Sequence, residues 1–158
     1  MISDMEMNTF NELKQNAENL YKNFGEVYCS YLQKKVIFNV KGLDHLKMKS
    51  WNHARNENDQ LMRFKLLHFA PNIVKKSHTL QGIEHGNKFE RIKINNRWEN
   101  KMVYVRYYEF ISIEGEYRMK VIIKQIGDAQ PYFWSIVPHW KQTNQRRKKM
   151  FEGNPEED

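Results

Sequence analysis

The stretch "VIFNVKGLDHLKMKSWNHAR" (36–55) closes an apolar run at Lys41-Gly42. It then presents His45, Lys47, Lys49, Trp51, His53 and Arg55 where a strand would run out. A neutral imidazole near pH 7 can take a proton from a ribose 2′-OH or give one to a leaving 5′-oxygen without any metal. The cations around His45 lower its pKa and keep it available as a base. A histidine after a strand also serves as a hydrogen-bonded surface residue, and the sequence leaves both readings open. His53 and His139 are weaker candidates of the same kind.

Two later stretches carry complementary chemistry. In "EYRMKVIIKQI" (116–126) a period of two puts Arg118, Lys120, Ile122 and Lys124 on one face and Tyr117, Met119, Val121 and Ile123 on the other. Helices covering the second face would leave three cations on the first, about 7 Å apart. That face is either ordinary solvated sheet or a cationic surface that grips a phosphodiester and stabilises transition-state charge. In "YFWSIVP" (132–138), Trp134 can stack on an unpaired base, or sit in the core, and Ser135 can donate to a phosphate oxygen; Phe133 reads as core.

Other chemistries lack their motifs. The six histidines and single Cys29 offer no CxxC pair and no HExxH, so no metal site is expected. There is no P-loop, no GxGxxG and no GxSxG, and no organic cofactor is implied. Cys29 reads as inert, and a lone cysteine fits a reducing cytoplasm.

The elements that must position these residues follow from periodicity. Phe10, Leu13, Ala17, Leu20, Tyr21 and Phe24 predict a helix over 8–24, with Gly25 as its stop. Val36–Val40 reads as a strand ended by Gly42. Leu61, Phe64, Leu67 and His68 predict a helix to about Phe69, before Pro71, with a further turn over 72–76. Residues 81–100 have a weak pattern and read as short edge strands with mobile connections. Residues 102–113, 116–126 and 131–140 are rich in β-branched and aromatic residues and predict an antiparallel meander. The class is α+β: N-terminal helices packed on a curved antiparallel sheet of about four strands, ending in a three-strand meander. Residues 1–140 make one domain with a helical part over about 1–35. Residues 141–158 form a basic, then acidic tail, helical at first and frayed at its end.

Charge narrows the partners. The chain has 26 Lys and Arg against 19 Asp and Glu; four of those acids, Glu152, Glu156, Glu157 and Asp158, lie in the last seven residues. That leaves 15 acids against 26 cations, a net +11, in residues 1–151. Such a body favours polyanions, RNA above all, through phosphate contacts and counterion release. No apolar run approaches the roughly 18 residues that span a bilayer. The start is acidic and amphipathic, neither a secretory signal nor a transit peptide. The expected location is the cytoplasm.

The order of N-terminal helix, "VIFNVKGLDHLK", the helix "LMRFKLLHFAP" and a meander ending "RMKVIIKQIGDAQPYFWSIVP" resembles the phage-associated nuclease domains of the BECR group, which takes its name from barnase, EndoU, colicin nucleases and RelE. The resemblance covers roughly residues 36–140. It implies a metal-independent endoribonuclease of toxin type with a four-stranded antiparallel sheet, and an antitoxin or immunity protein as partner. The group's active-site types fall here on His45, on Arg55 or Arg63, on Lys124 and on Ser135. On this reading Lys47, Arg63, Arg118, Lys120 and Trp134 bind RNA, and cleavage leaves a 2′,3′-cyclic phosphate. Two other readings stand beside it: a non-catalytic RNA- or DNA-binding module, and a phage or mobile-element accessory protein that docks an acidic partner.

Overall fold

The amphipathic N-terminal segment forms helix α1, Asp4–Lys22, and buries Ala17 and Tyr21. The structure is a computed structural model and describes residues 4–50, 52–139 and 154–158. After α1 come β1 (Glu26–Cys29), β2 (Lys34–Ile37), α2 (Val40–Lys47), β3 (Met48–Ser50) and β4 (His53–Ala54). Helix α3 (Glu57–Leu66) passes through a short 3-10 turn into α4 (Ala70–Lys76). Four longer strands follow: β5 (Gly82–Ile94), β6 (Arg97–Glu114), β7 (Tyr117–Ile126) and β8 (Tyr132–His139). The class is α+β, and among the described residues β3 and β4 pair with each other in a separate two-stranded sheet.

The main sheet has six strands in the order β1-β2-β8-β7-β6-β5, rather than about four. Every pairing in it is antiparallel except β2 with β8. The meander β6-β7-β8 is the one expected from the sequence. The two additions come from either side of it. The β1–β2 hairpin extends the β8 edge, and residues 81–100, expected as short strands and mobile connections, form a long hairpin instead. Asn95 and Asn96 both take left-handed backbone, with φ of 50° and 65°, the geometry of a tight hairpin turn that asparagine tolerates.

One sheet face packs on the helices. Phe110, Met119, Val121, Ile123, Phe133 and Ile136 meet Leu43, Leu46, Phe64, Leu67 and Val74 in the main core. Tyr117, grouped with this face by alternation, is exposed at the strand's end. The opposite face carries a smaller cluster of Val105, Tyr107 and Ile122, with Trp134 packed on it. Expectation and structure part here. Lys120 and Lys124 are 1% and 3% exposed, so β7 is covered on both faces and its cationic row is not a solvated surface. Buried ammonium groups need partners, and both have them.

The Val36–Val40 strand is also corrected. It ends at Ile37, and Val40 begins a helix. The Asn39 side chain accepts a hydrogen bond from the Gly42 N–H at 3.3 Å, the cap that turns the chain into α2. Trp51 and the stretch 140–153, which holds the helical start expected of the tail, lie outside the described residues.

Candidate functional site

Gly42 lies within α2 and lets that helix approach β8 closely. A Cβ there would run into the main-chain oxygen of Phe133 and the Tyr21 hydroxyl. His45 is three residues on, hence on the same helix face. It lands on Trp134, ring centroids 4.0 Å apart and planes 19° from parallel. Trp134 faces His45 because of an irregularity in β8. Ile122 pairs with Ser135 and Ile123 with Phe133, which makes Trp134 the extra residue of a β-bulge. Strict alternation would separate Trp134 from Ser135; the bulge turns both away from the main core, while Phe133 stays in it.

Arg55 and Arg63 both belong to this site. The Arg55 N–H donates to the Lys47 carbonyl at 2.9 Å, tying its segment to the end of α2. Its Nε donates to the His45 carbonyl at 2.9 Å, and its Nη2 lies 3.0 Å from His45 Nε2. Helix α3, capped by Asn56 on the Asp59 N–H at 2.8 Å, brings Arg63 alongside. Asp59 bridges the pair, 3.5 Å from Arg55 Nη1 and 2.8 Å from Arg63 Nε. Arg63 Nη1 donates to Ser135 Oγ at 2.7 Å.

The acidic end of the chain closes over these groups. The main-chain oxygen of Asp158 accepts from Arg63, from Ser135 Oγ at 2.7 Å and from Arg55 Nη2 at 3.0 Å. The Glu157 carbonyl accepts from Arg55 at 2.8 Å, and the Pro155 carbonyl accepts from Trp134 Nε1 at 3.0 Å. Lys120 reaches Asp158 Oδ2 at 3.2 Å and Glu109 Oε1 at 3.4 Å. Main-chain oxygens with this many charged donors to answer, and the Asp158 carboxylate on Lys120, dock the segment here.

These surroundings set the protonation states. A guanidinium only donates, so Arg55 makes His45 Nε2 the acceptor and the ring neutral. Burial, then Arg55, Arg63 and Lys124, push the ring's pKa down to about 2, against a smaller upward pull from the Asp158 main chain. Burial, aided by Arg63, lowers Arg55 to about 10 although Asp59 opposes it, which leaves Arg55 charged at neutral pH. Burial also lowers Lys124, partly offset by Glu90 at 2.7 Å. The Glu109 carboxyl moves the other way, raised by burial despite Lys120.

Beside this node lies an open cleft of about 740 Å³. His45, Trp134 and Lys124 form part of its wall, Lys124 Nζ standing 4.2 Å over the Trp134 ring. Lys41, Lys49 and Arg91 add further cations, and Glu90, Glu156 and Glu157 add carboxylates. No family model, no curated protein and no solved structure matches the chain. The side chains themselves must therefore carry the functional reading.

Of the residues proposed from sequence, His45, Arg55, Arg63, Lys120, Lys124, Trp134 and Ser135 come together. Two do not join them. Lys47 pairs with Glu18 of α1 at 2.6 Å, and Arg118 sits at the far end of β7, six residues before Lys124. The carboxylate partners Asp59, Glu90, Glu109 and Asp158 were missed, as were Lys41 and Arg91. Only the tail gave a signal in sequence: an acidic cluster at the end of a strongly basic body.

Proposed function

We propose that this chain is a metal-independent endoribonuclease of toxin type, acting in the cleft beside Lys124. The observation that carries this reading is the stack of Lys124 over Trp134 over His45 at the wall of an open cleft, where Lys41, Lys49 and Arg91 stand among the carboxylates of Asp44, Glu90, Glu156 and Glu157. Lys124 and His45 take both faces of the Trp134 ring, so the ring positions the ammonium rather than receiving a base, and fixed positive charge beside open volume is what a phosphodiester asks for. The helices preceding an antiparallel meander are in keeping with the BECR-like arrangement, which belongs to the same proposal. So does an antitoxin or immunity protein that covers the basic face.

In this scheme the ribose 2′-oxygen attacks phosphorus, the bond from phosphorus to the 5′-oxygen breaks, and a 2′,3′-cyclic phosphate remains. Glu90, 2.7 Å from Lys124, is the carboxylate placed to take the 2′-OH proton. Lys124, its pKa lowered by burial, holds the developing phosphate charge and returns a proton to the 5′-oxygen. His45 supports Trp134, and accepts a proton only where substrate displaces Arg55 from Nε2. Arg55, Arg63 and Ser135 hold the cleft wall and its field. Bound phosphate offsets these cations and moves the His45 pKa upward.

Residues 154–158 are a wall of this site and not its occupant. Main-chain oxygens of Glu157 and Asp158 take the arginine and serine donors, the Asp158 side chain takes Lys120, and Glu156 and Glu157 border a cleft that remains open. The test is incubation of end-labelled total RNA with the protein, with and without EDTA. Fragments ending in 2′,3′-cyclic phosphate, formed equally in both arms, support the proposal; intact RNA refutes it.

A second reading draws on the same docked acidic segment: the basic face receives an acidic stretch of a partner protein. It is favoured if the chain fails to bind RNA at low salt while a chain lacking 154–158 binds the peptide Gly-Asn-Pro-Glu-Glu-Asp in trans.

A further inference from the structure

The β5–β6 hairpin outruns the sheet. Strand β7 pairs with β6 only from Val105 to Glu114, whereas β5 pairs with β6 all the way to Ile94 and Arg97. Asn87–Ile94 and Arg97–Tyr104 therefore form a two-stranded ribbon roughly 27 Å long at a rise of about 3.4 Å per residue. A ribbon of two strands is only marginally stable alone, and this one is tied to the domain on its inner face by Glu90, 2.7 Å from Lys124, and by Lys88, 3.4 Å from Glu156, while its outer face is exposed.

Its exposed face has a specific composition. Register sets Phe89 opposite Met102, Arg91 opposite Asn100, and Lys93 opposite Trp98. Phe89 is 71% exposed and Trp98 56%, large apolar groups that a purely structural ribbon would replace with polar ones. Between them stands Arg91, its guanidinium carbon 5.5 Å from the Trp98 ring centroid. Glu90, on the other face of β5, turns its carboxylate to Lys124, and Phe89 and Arg91 on either side of it border the open cleft, so the exposed face meets the cleft at its rim.

We propose that this face, Phe89, Arg91, Lys93 and Trp98, is a binding track for single-stranded nucleic acid that leads into the cleft. The two rings stack on bases, and Arg91 and Lys93 contact phosphates between them. Charge selects this occupant over a second copy of the chain, which would set Arg91 and Lys93 against the same cations. The proposal extends the cleft's reading as an RNA site but does not need the strand to be cut.

The test measures anisotropy of a fluorescein-labelled 12-nucleotide oligodeoxynucleotide, which lacks the 2′-OH and cannot be cleaved by the proposed route, with the full chain. Trp98→Ala and Phe89→Ala should each weaken binding about fivefold to a hundredfold, the worth of one stacked base. Arg91→Ala should lower the slope of log affinity against log salt by about one phosphate contact. These side chains are exposed, so unchanged thermal melting serves as the folding control. Wild-type affinity in Trp98→Ala and Phe89→Ala would overturn the proposal. So would an equal loss of binding to a poly-glutamate peptide, which marks a charge-only surface. Sedimentation showing a dimer lost in these variants, with oligonucleotide affinity intact, would assign the face to a second copy and overturn it too. Ring-dependent binding without any RNA cleavage sinks the nuclease reading and leaves this one standing; cleavage with ring-independent binding does the reverse.

Discussion

The buried node of Arg55, Arg63 and Ser135 and the open cleft below Lys124 share strand β8, yet their cations are answered differently. In the node, Asp59 and main-chain oxygens of Glu157 and Asp158 take the guanidinium donors, and Arg63 is 5% exposed. In the cleft, Lys49 is exposed and 3.9 Å from its nearest carboxylate, and Lys41 and Arg91 reach toward solvent. Charge alone therefore does not mark a binding site. A cation whose donors are consumed by the fold away from open volume holds the fold together, one facing open volume is available to a ligand, and Lys124 stands at the boundary, buried against Glu90 yet part of the cleft wall.

If that division is right, variants of the two regions should fail in different ways. Arg63→Ala should have the largest effect, lowering the unfolding free energy by about 2–3 kcal/mol because buried Ser135 and the Asp158 main-chain oxygen lose a charged donor, while Asp59 keeps Arg55. Urea titration measures it; a loss under 1 kcal/mol would move Arg63 out of the node. A chain ending at residue 153 should lose on the order of 2 kcal/mol, since the arginines then exchange fixed acceptors for water. Its RNA cleavage should fall as well. A tenfold rise would mean that 154–158 plugs the site.

Acid should expose the node next. Burial and the cations Arg55, Arg63 and Lys124 depress the His45 pKa far below its ordinary 6.5, and the Asp158 main-chain oxygen only partly opposes them. Between those values the unfolded chain binds a proton that the folded chain does not. His45 thus contributes stability that is present above pH 6.5 and lost as pH falls toward about 2. The slope is at most about 1.4 kcal/mol per pH unit. Urea midpoints at pH 7 and pH 5 should fall less steeply for His45→Gln than for the parent chain; equal slopes would contradict a neutral buried ring. The smallest effect belongs to Tyr107, whose hydroxyl is buried and has no hydrogen-bond partner among the described residues. Tyr107→Phe should be neutral or raise the unfolding free energy by up to about 1 kcal/mol, again read by urea titration.

The sequence carried the meander well, because 102–113, 116–126 and 131–140 alternate strongly with turns between them. Helices α1 and α3 were legible for the parallel reason, apolar residues at helical spacing. Helix α2 was not, since Val40 continues an apolar run and only the Asn39 cap and the tight approach at Gly42 reveal the turn. The long hairpin escaped because its half-buried face carries Lys88 and Glu90 and its exposed face carries Phe89 and Trp98, so hydrophobicity does not alternate although burial does. Within the site, His45, Lys124 and Trp134 were legible as chemical types. Their environment was not: the bulge at Trp134 and the docking of 154–158 arise from pairings far apart in the chain.

The central claim is that Lys124 does chemistry in the open cleft. Initial rates of RNA cleavage by the parent chain and by Lys124→Ala, compared at equal folded concentration, test it most directly. The account predicts EDTA-insensitive cleavage by the parent chain and a rate at least about a hundredfold lower for the variant. Equal rates, or no cleavage by the parent chain, would contradict it.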